Sequence, residues 1–288
     1  MTSQLPLVMG VVNVTPDSFS DGGRYDDPER AIAHGLQLLA DGADILDVGG
    51  ESTRPGATRP LLAEELDRVV PVIEALAAQG ARVSVDTMRA EVAQRAVEAG
   101  ASIVNDVSGG LADPGILDVV SSTGATYVAM HWRAHSDTMQ EFTTYEPDVV
   151  TAVRDELGQR VEAIRAAGVR DEQIVLDPGL GFAKEAHHNW ALLRHLDEVA
   201  LGFPLLVGAS RKTFLGRLLA DHDGTPRPVD EREAAGVALT SLLAAGLGGT
   251  GVWGLRVHDV RAHRDALAVA AQWGGYPADR AAREEHQR

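Results

Sequence analysis

Eight times along this chain a short apolar run, rich in β-branched residues, ends in a polar side chain and gives way to a segment of helical spacing. Continuous apolar runs of that length suit strands buried on both faces, and such strands belong to parallel sheets covered by helices. The runs are Val8–Asn13, Ile45–Val48, Arg82–Thr87, Ile103–Asp106, Ala125–Met130, Ile174–Asp177, Leu205–Gly208 and Gly251–Leu255, the last continuing to Arg256, Val257 and His258. Helical spacing is read over 28–41, 61–79, 90–99, 113–122, 147–167 and 188–196. It continues from Lys212 with a break near 221–230 before resuming to Ala245, and closes over 260–273. Glycines at 42, 80 and 100 stop the first three helices. No stretch of linker composition separates the units, and 288 residues fit one large barrel. The pattern predicts an α/β chain forming a (β/α)8 TIM barrel, one domain over 1–288 with a polar, frayed tail from about 275. A doubly wound sheet is the alternative; eight regular units and the absence of G-x-G-x-x-G after a strand count against it.

A barrel of this kind presents all its strand C-termini on one face, and that face carries the chemistry. The residues at those ends are Asn13, Glu51 to Arg54, Asp86, Asn105, His131, Asp177, Lys212, Arg256 and His258. One polar strand end is ordinary loop chemistry, but eight in register with the architecture are not. Asp86, Asn105, Asp177 and Lys212 supply acceptors and donors for a planar heterocycle, and a carboxylate such as Asp177 matches a two-donor N–C–NH2 edge. Arg256 and His258, two apart on the last strand, suit phosphate. Asn13 and the polar loop around Asp17 offer hard oxygen ligands for Mg2+. The helix starting after Lys212 offers its N-terminus to an anion.

Composition narrows the partners. With no cysteine there is no disulfide, thiolate metal site or cysteine nucleophile. A net charge of -16 argues against nucleic acid, so any anionic substrate needs cations concentrated locally. No apolar run reaches about 18 residues and the start lacks a basic region, so no membrane partner and a cytoplasmic location are expected. The basic residues are arginines except Lys184 and Lys212.

The motifs N-V-T-P-D-S-F-S-D-G-G, D-V-G-G-E-S-T-R-P-G-A, S-V-D-T, N-D-V-S-G-G, D-P-G-L-G-F-A-K, G-A-S-R-K and R-V-H-D-V follow one another over residues 8 to 260. In order and in wording this resembles the dihydropteroate synthase family of bacterial folate synthesis. The resemblance implies condensation of 6-hydroxymethyl-7,8-dihydropterin pyrophosphate with 4-aminobenzoate to 7,8-dihydropteroate and pyrophosphate, with Mg2+, in a homodimer. Carried over by motif position, it implies that Asp86, Asn105, Asp177 and Lys212 bind the pterin and that Asn13 ligates Mg2+. Thr53, Arg256 and His258 would hold the pyrophosphate. Phe19, Arg54, Pro55 and Phe182 would build the aminobenzoate pocket, with Lys212 and Thr213 facing its carboxylate. Thr213 stands where many relatives have Ser, and the hydroxyl is kept. Asp86, Lys212, Arg256 and His258 would be the catalytic set. For the dimer, the apolar stretch from Ala234 to Gly249 with the last helix is the candidate surface.

Phe19 could instead be a loop anchor. Lys184 reads as a solvated surface charge and is left out of the site. His34, His135, His187, His188, His195, His222 and His263 read as surface residues, and Trp132 and Trp190 as packing residues. The loop from His131 to Tyr145 carries no motif. A folate-dependent methyltransferase pterin domain would lack the S-R-K and R-x-H elements, a non-catalytic paralogue would have lost loop or phosphate residues, and an aldolase would need Lys212 in a desolvating pocket.

Overall fold

The computed structural model describes residues 5–14, 26–51, 59–135, 138, 141–247 and 252–274. Eight parallel strands, β1 (Leu7–Asn13), β2 (Ile45–Gly49), β3 (Val83–Asp86), β4 (Ile103–Asp106), β5 (Thr126–Met130), β6 (Ile174–Asp177), β7 (Leu205–Val207) and β8 (Val252–Val257), close into a barrel in chain order. Among the described residues ten helices flank it: α1 (Asp26–Ala40), α2 (Leu62–Ala78), α3 (Ala90–Glu98), α4 (Gly115–Thr123), α5 (Val149–Ala166), α6 (Ala186–Arg194), α7 (Leu196–Val199), α8 (Thr213–Leu218), α9 (Glu233–Ala244) and α10 (Val260–Gly274). The (β/α)8 reading holds, and β1 pairing with β8 removes the doubly wound alternative.

The expected helix over 188–196 instead starts at Ala186 and divides at His195, whose φ of -129° leaves the helical region. The expected interruption after Lys212 separates α8 from α9, and a 3-10 turn at Val229–Glu231 leads into α9.

Side chains alternate along each strand, so the barrel has an outer and an inner core. The outer core lies between sheet and helices and includes Val8, Val12, Leu46, Val48, Val85, Val104, Leu176 and Val207. The inner core is a plug of Met9, Ile45, Ile103, Val128, Val175 and Leu206. Two residues beyond four of these plug positions, on the same strand face, stand Asp47, Asn105, Asp177 and Gly208. β2, β4 and β6 therefore fill the barrel first and turn polar one step later, and that layer contributes to the floor of the C-terminal mouth.

Candidate functional site

Three buried carboxylates and two long cations are set into this floor. Asp47, fully buried on β2, accepts from Asn105 Nδ2 at 3.0 Å and from Arg256 Nε at 2.6 Å, both on Oδ2. Its Oδ1 is buried without a hydrogen-bond partner. Arg256 also donates from Nη2 to Asp86 Oδ2 at 2.8 Å. Burial pushes the Asp86 carboxyl up, against the pull of Arg256. Asp47 and Asp86 together hold the guanidinium protonated, although its burial works against the charge.

Across the mouth Asp177 is also driven up by burial, and Lys212, the Gly179 amide, Lys184 and Arg256 hold it down. Asp177 Oδ1 accepts from the Gly179 N–H at 2.7 Å. Burial pulls Lys212 down to about 8. Its ammonium donates to the Leu180 carbonyl and lies 4.8 Å from the centroid of the Phe182 ring. Phe182 packs with Met88, Val107, Met130 and Trp132 into a small apolar wall beside the charged floor.

Lys212 is presented by a strained turn. Arg211 sits at φ +62°, in the left-handed region that costs an ordinary residue about 1–2 kcal/mol. Arg232, buried behind it, donates from Nη1 to the Arg211 carbonyl at 2.9 Å and from Nε to the Arg227 carbonyl at 2.8 Å. Gly216 leaves room for this guanidinium, since a Cβ there would collide with Arg232 Nε. Next to the turn, Ser210 Oγ and His258 Nδ1 are 3.0 Å apart. The helix after Lys212 is only the six residues of α8, and Thr213 is exposed at its first position.

Of the residues expected from the sequence, Asp86, Asn105, Asp177, Lys212 and Arg256 line one floor. Asn13 is half-buried at the end of β1, paired in register with Gly49. Phe182 stands on the wall and His258 at the end of β8. Phe19, Thr53, Arg54 and Pro55, and the loop around Asp17, lie outside the described residues.

Two expectations need correction. Lys184 is not solvated but 4 % exposed, and burial lowers it to about 7. Its Nζ donates to His131 Nδ1 at 2.9 Å and to the Phe182 carbonyl at 3.1 Å. His131 Nε2 in turn faces Glu156 Oε2 at 2.9 Å, which fixes the tautomer with the proton on Nε2. Burial, reinforced by Lys184, takes His131 down to about 4. Burial alone would raise Glu156, but bonds from His131 and Arg133 win and bring it to about 2. His263 is likewise no surface residue. It is buried between α9 and α10, with Nδ1 2.7 Å from Thr240 Oγ1 and Nε2 2.8 Å from Glu233 Oε1. The sequence carried signals for both: Lys184 is one of only two lysines, and His263 falls on the Val260, Ala266, Leu267, Ala270 stripe of α10. Asp47 and Ser210 were missed as site residues. An acid inside the apolar run Ile45-Leu46-Asp47-Val48 was the available signal for Asp47.

The neighbouring Asp106 has a structural part. It is buried and accepts from Ser108 N, Ser108 Oγ, Gly110 N and Tyr127 Oη, fixing the turn that follows Asn105. Trp190 packs edge-on against Phe214 at 5.2 Å, as expected of a packing residue.

Comparison with known proteins bears on this site. The family described as pterin binding enzyme matches residues 9–258. The dihydropteroate synthase of Mycobacterium leprae is 56% identical over 268 residues, 92% of this chain and 93% of that one. The structure of the Xanthomonas albilineans dihydropteroate synthase with 4-aminobenzoic acid superposes with a TM-score of 0.85 at 44% identity, covering 96% of each chain. Its complex with 7,8-dihydropteroate gives 0.82 at 42% identity, over 96% of this chain and 97% of that one.

Proposed function

The chain belongs to the dihydropteroate synthase family of pterin binding enzymes, and from that premise we propose that the barrel mouth joins 6-hydroxymethyl-7,8-dihydropterin pyrophosphate to 4-aminobenzoate. The observation that carries the reading is the polar floor itself: Asp47, Asn105, Asp86, Arg256, Asp177 and Lys212 gathered at the strand ends of one barrel. Asp177, whose burial-driven rise Lys212 and Arg256 oppose, accepts from the amino edge of the pterin. Asn105, oriented by Asp47, offers its remaining amide capacity to the same ring. Phe182 with Lys212 beside it gives the aminobenzoate an apolar wall and a cation, and Phe19, Arg54, Pro55 and Thr213 complete that pocket by motif. Thr53, His258 and the rim side of Arg256 take the pyrophosphate.

The chemical step is dissociative. Pyrophosphate leaves as its charge is neutralised, the pterin methylene becomes cation-like, and the neutral arylamine adds. The arylamine needs no strong base and adds directly, without a covalent enzyme intermediate. Asp86 stabilises the cation, while Asp177 holds the ring equally in ground and transition states.

Mg2+ fits the donor set in one way. Asn13 brings one neutral oxygen, and no cluster of three or more His, Cys, Asp or Glu suited to a metal occurs among the described residues. Asn13 would hold the ion together with the bound pyrophosphate, and when bound the ion would supply charge neutralisation to the leaving group. Tight Mg2+ binding in calorimetry without substrate would contradict this.

The homodimer is proposed through α9 and α10, which pack together and leave Leu242, Val269 and Trp273 exposed. A monomer in sedimentation at micromolar concentration would remove that claim. No helix among the described residues is long and apolar enough to cross a membrane.

The function is tested by incubating the protein with both substrates and Mg2+ and resolving the product by chromatography. Accumulation of 7,8-dihydropteroate is expected; its absence with folded protein would refute the reading.

A further inference from the structure

The loop between β6 and α6, residues 178–185, is tied down more completely than a connection requires. Three of its backbone carbonyls are capped by three different side chains. The Leu180 carbonyl accepts from Lys212, the Phe182 carbonyl from Lys184 at 3.1 Å, and the Ala183 carbonyl from Tyr145 Oη at 2.9 Å. Its amides are used as well: Gly179 N–H donates to Asp177 and Gly181 N–H to Asn189 Oδ1 at 2.7 Å. Ala183 takes φ +50°, a conformation that a non-glycine residue keeps only when its surroundings impose it. Gly179, at φ +67°, lets the loop lie directly on the His131 carbonyl, which a Cβ there would strike.

Lys184 is the costliest of these ties. A buried ammonium loses its hydration, and an apolar side chain of the same length would avoid the loss. What the lysine gains is position. Its Nζ joins the Phe182 carbonyl to His131 Nδ1, and His131 passes the anchorage to Glu156, which Arg133 grips from the other side. Arg133 Cζ stands 3.8 Å from the Tyr145 ring centroid, so the Lys184 and Tyr145 ties share one foundation on β5, α5 and the segment between them. The loop tip that this foundation holds is Phe182, whose ring meets the Lys212 ammonium.

We propose that Lys184 is a positioning residue for the second substrate: through the Phe182 carbonyl and the His131–Glu156–Arg133 chain it fixes the Phe182 ring beside Lys212, setting the geometry of the aminobenzoate pocket. The proposal rests on the reading of Phe182 and Lys212 as aminobenzoate contacts. Lys184 acts through the loop and is assigned no contact with either substrate. Asp177 keeps Lys212 and Arg256 as counter-charges without it, so the pterin side of the floor is expected to survive its loss.

The test is Lys184→Met, with Phe182→Ala as the control for the underlying reading and Tyr145→Phe as a second loop variant that leaves every charge in place. Steady-state kinetics give KM for 4-aminobenzoate and kcat. Calorimetry gives pterin pyrophosphate affinity, and thermal melting checks the fold. Loss of one charge-assisted tie to the loop is expected to raise aminobenzoate KM about tenfold. Pterin affinity and kcat should each change by less than about threefold, and Tyr145→Phe should move KM in the same direction by less. An unchanged aminobenzoate KM in Lys184→Met, with KM raised in Phe182→Ala, would overturn the proposal. Equal losses for both substrates would do so too, because a residue that merely supports the fold weakens them alike. Should Lys184→Met fail to fold, an unchanged KM in Tyr145→Phe overturns it. An unchanged KM in Phe182→Ala would instead sink the reading of the pocket.

Discussion

Asp47→Asn removes one charge from the barrel floor and leaves its shape intact. The two bonds that Asp47 Oδ2 now accepts, from Asn105 Nδ2 and Arg256 Nε, can both be kept by the amide oxygen. The amide NH2 then falls where the unpartnered Oδ1 stands, in a buried position with no acceptor to meet it. Bonds to an ionised acceptor are roughly twice as strong as neutral ones, so two of them weaken by about 1 kcal/mol each. The orphaned donor adds about 1 kcal/mol or more, while relief from burying the carboxylate returns part of this. The net loss is about 2 kcal/mol, or roughly 3 °C in melting temperature for a chain of this length. Arg256 is then held more weakly on the Asp47 side while its bond to Asp86 remains, and Asn105 loses the anion that orients it, so pterin affinity falls by about tenfold. Circular dichroism melts and calorimetric titration with the pterin pyrophosphate measure both effects. A melting temperature within about 1 °C of wild type together with unchanged affinity would refute the claim that Asp47 organises the floor.

The two substrate-facing carboxylates should separate on mutation. Asp86→Asn lowers kcat by more than it weakens pterin binding, whereas Asp177→Asn damages binding at least as much as kcat; single-turnover kinetics with direct binding decide, and equal losses for Asp86→Asn leave it a simple anchor. Lys184 gives a pH signature of its own. Its pKa falls from 10.5 unfolded to about 7 folded, so below pH 10.5 the unfolded chain binds the extra proton and stability drops as pH falls toward 7. The groups acting on it are Asp177, Lys212, Arg133, Glu156 and its partner His131. The stability difference between Lys184→Met and wild type should therefore shift in favour of the variant by up to about 1.4 kcal/mol per unit as pH falls from 10 to 7, measured by denaturant titration. A pH-independent difference would contradict the lowered pKa that burial gives Lys184.

What the sequence revealed was whatever a strand or a motif announces locally. Strand ends such as Asp86, Asn105 and Asp177 were visible because a polar residue after an apolar run must sit at the mouth of a barrel. Asp47 was hidden by the same logic, since it lies inside its run rather than after it, and its role depends on Arg256 arriving from the last strand. Lys184 reads as a solvated charge because nothing in its neighbourhood along the chain announces burial. Its burial comes from its loop folding back on His131, a contact across 53 residues that no local pattern carries. His263 was legible in principle, on the apolar stripe of its helix, but a histidine there is buried only because Thr240 and Glu233 of α9 satisfy both ring nitrogens.

The most direct measurement of the central claim is pyrophosphate release from 6-hydroxymethyl-7,8-dihydropterin pyrophosphate, with and without 4-aminobenzoate, in wild type and in Lys212→Met. If the barrel floor is the transferase site, release in wild type is rapid and sustained only with aminobenzoate present, and Lys212→Met lowers it by roughly a hundredfold, in the range of losing one stabilising donor in an active site. Release that ignores aminobenzoate, or that survives unchanged in Lys212→Met, would contradict it.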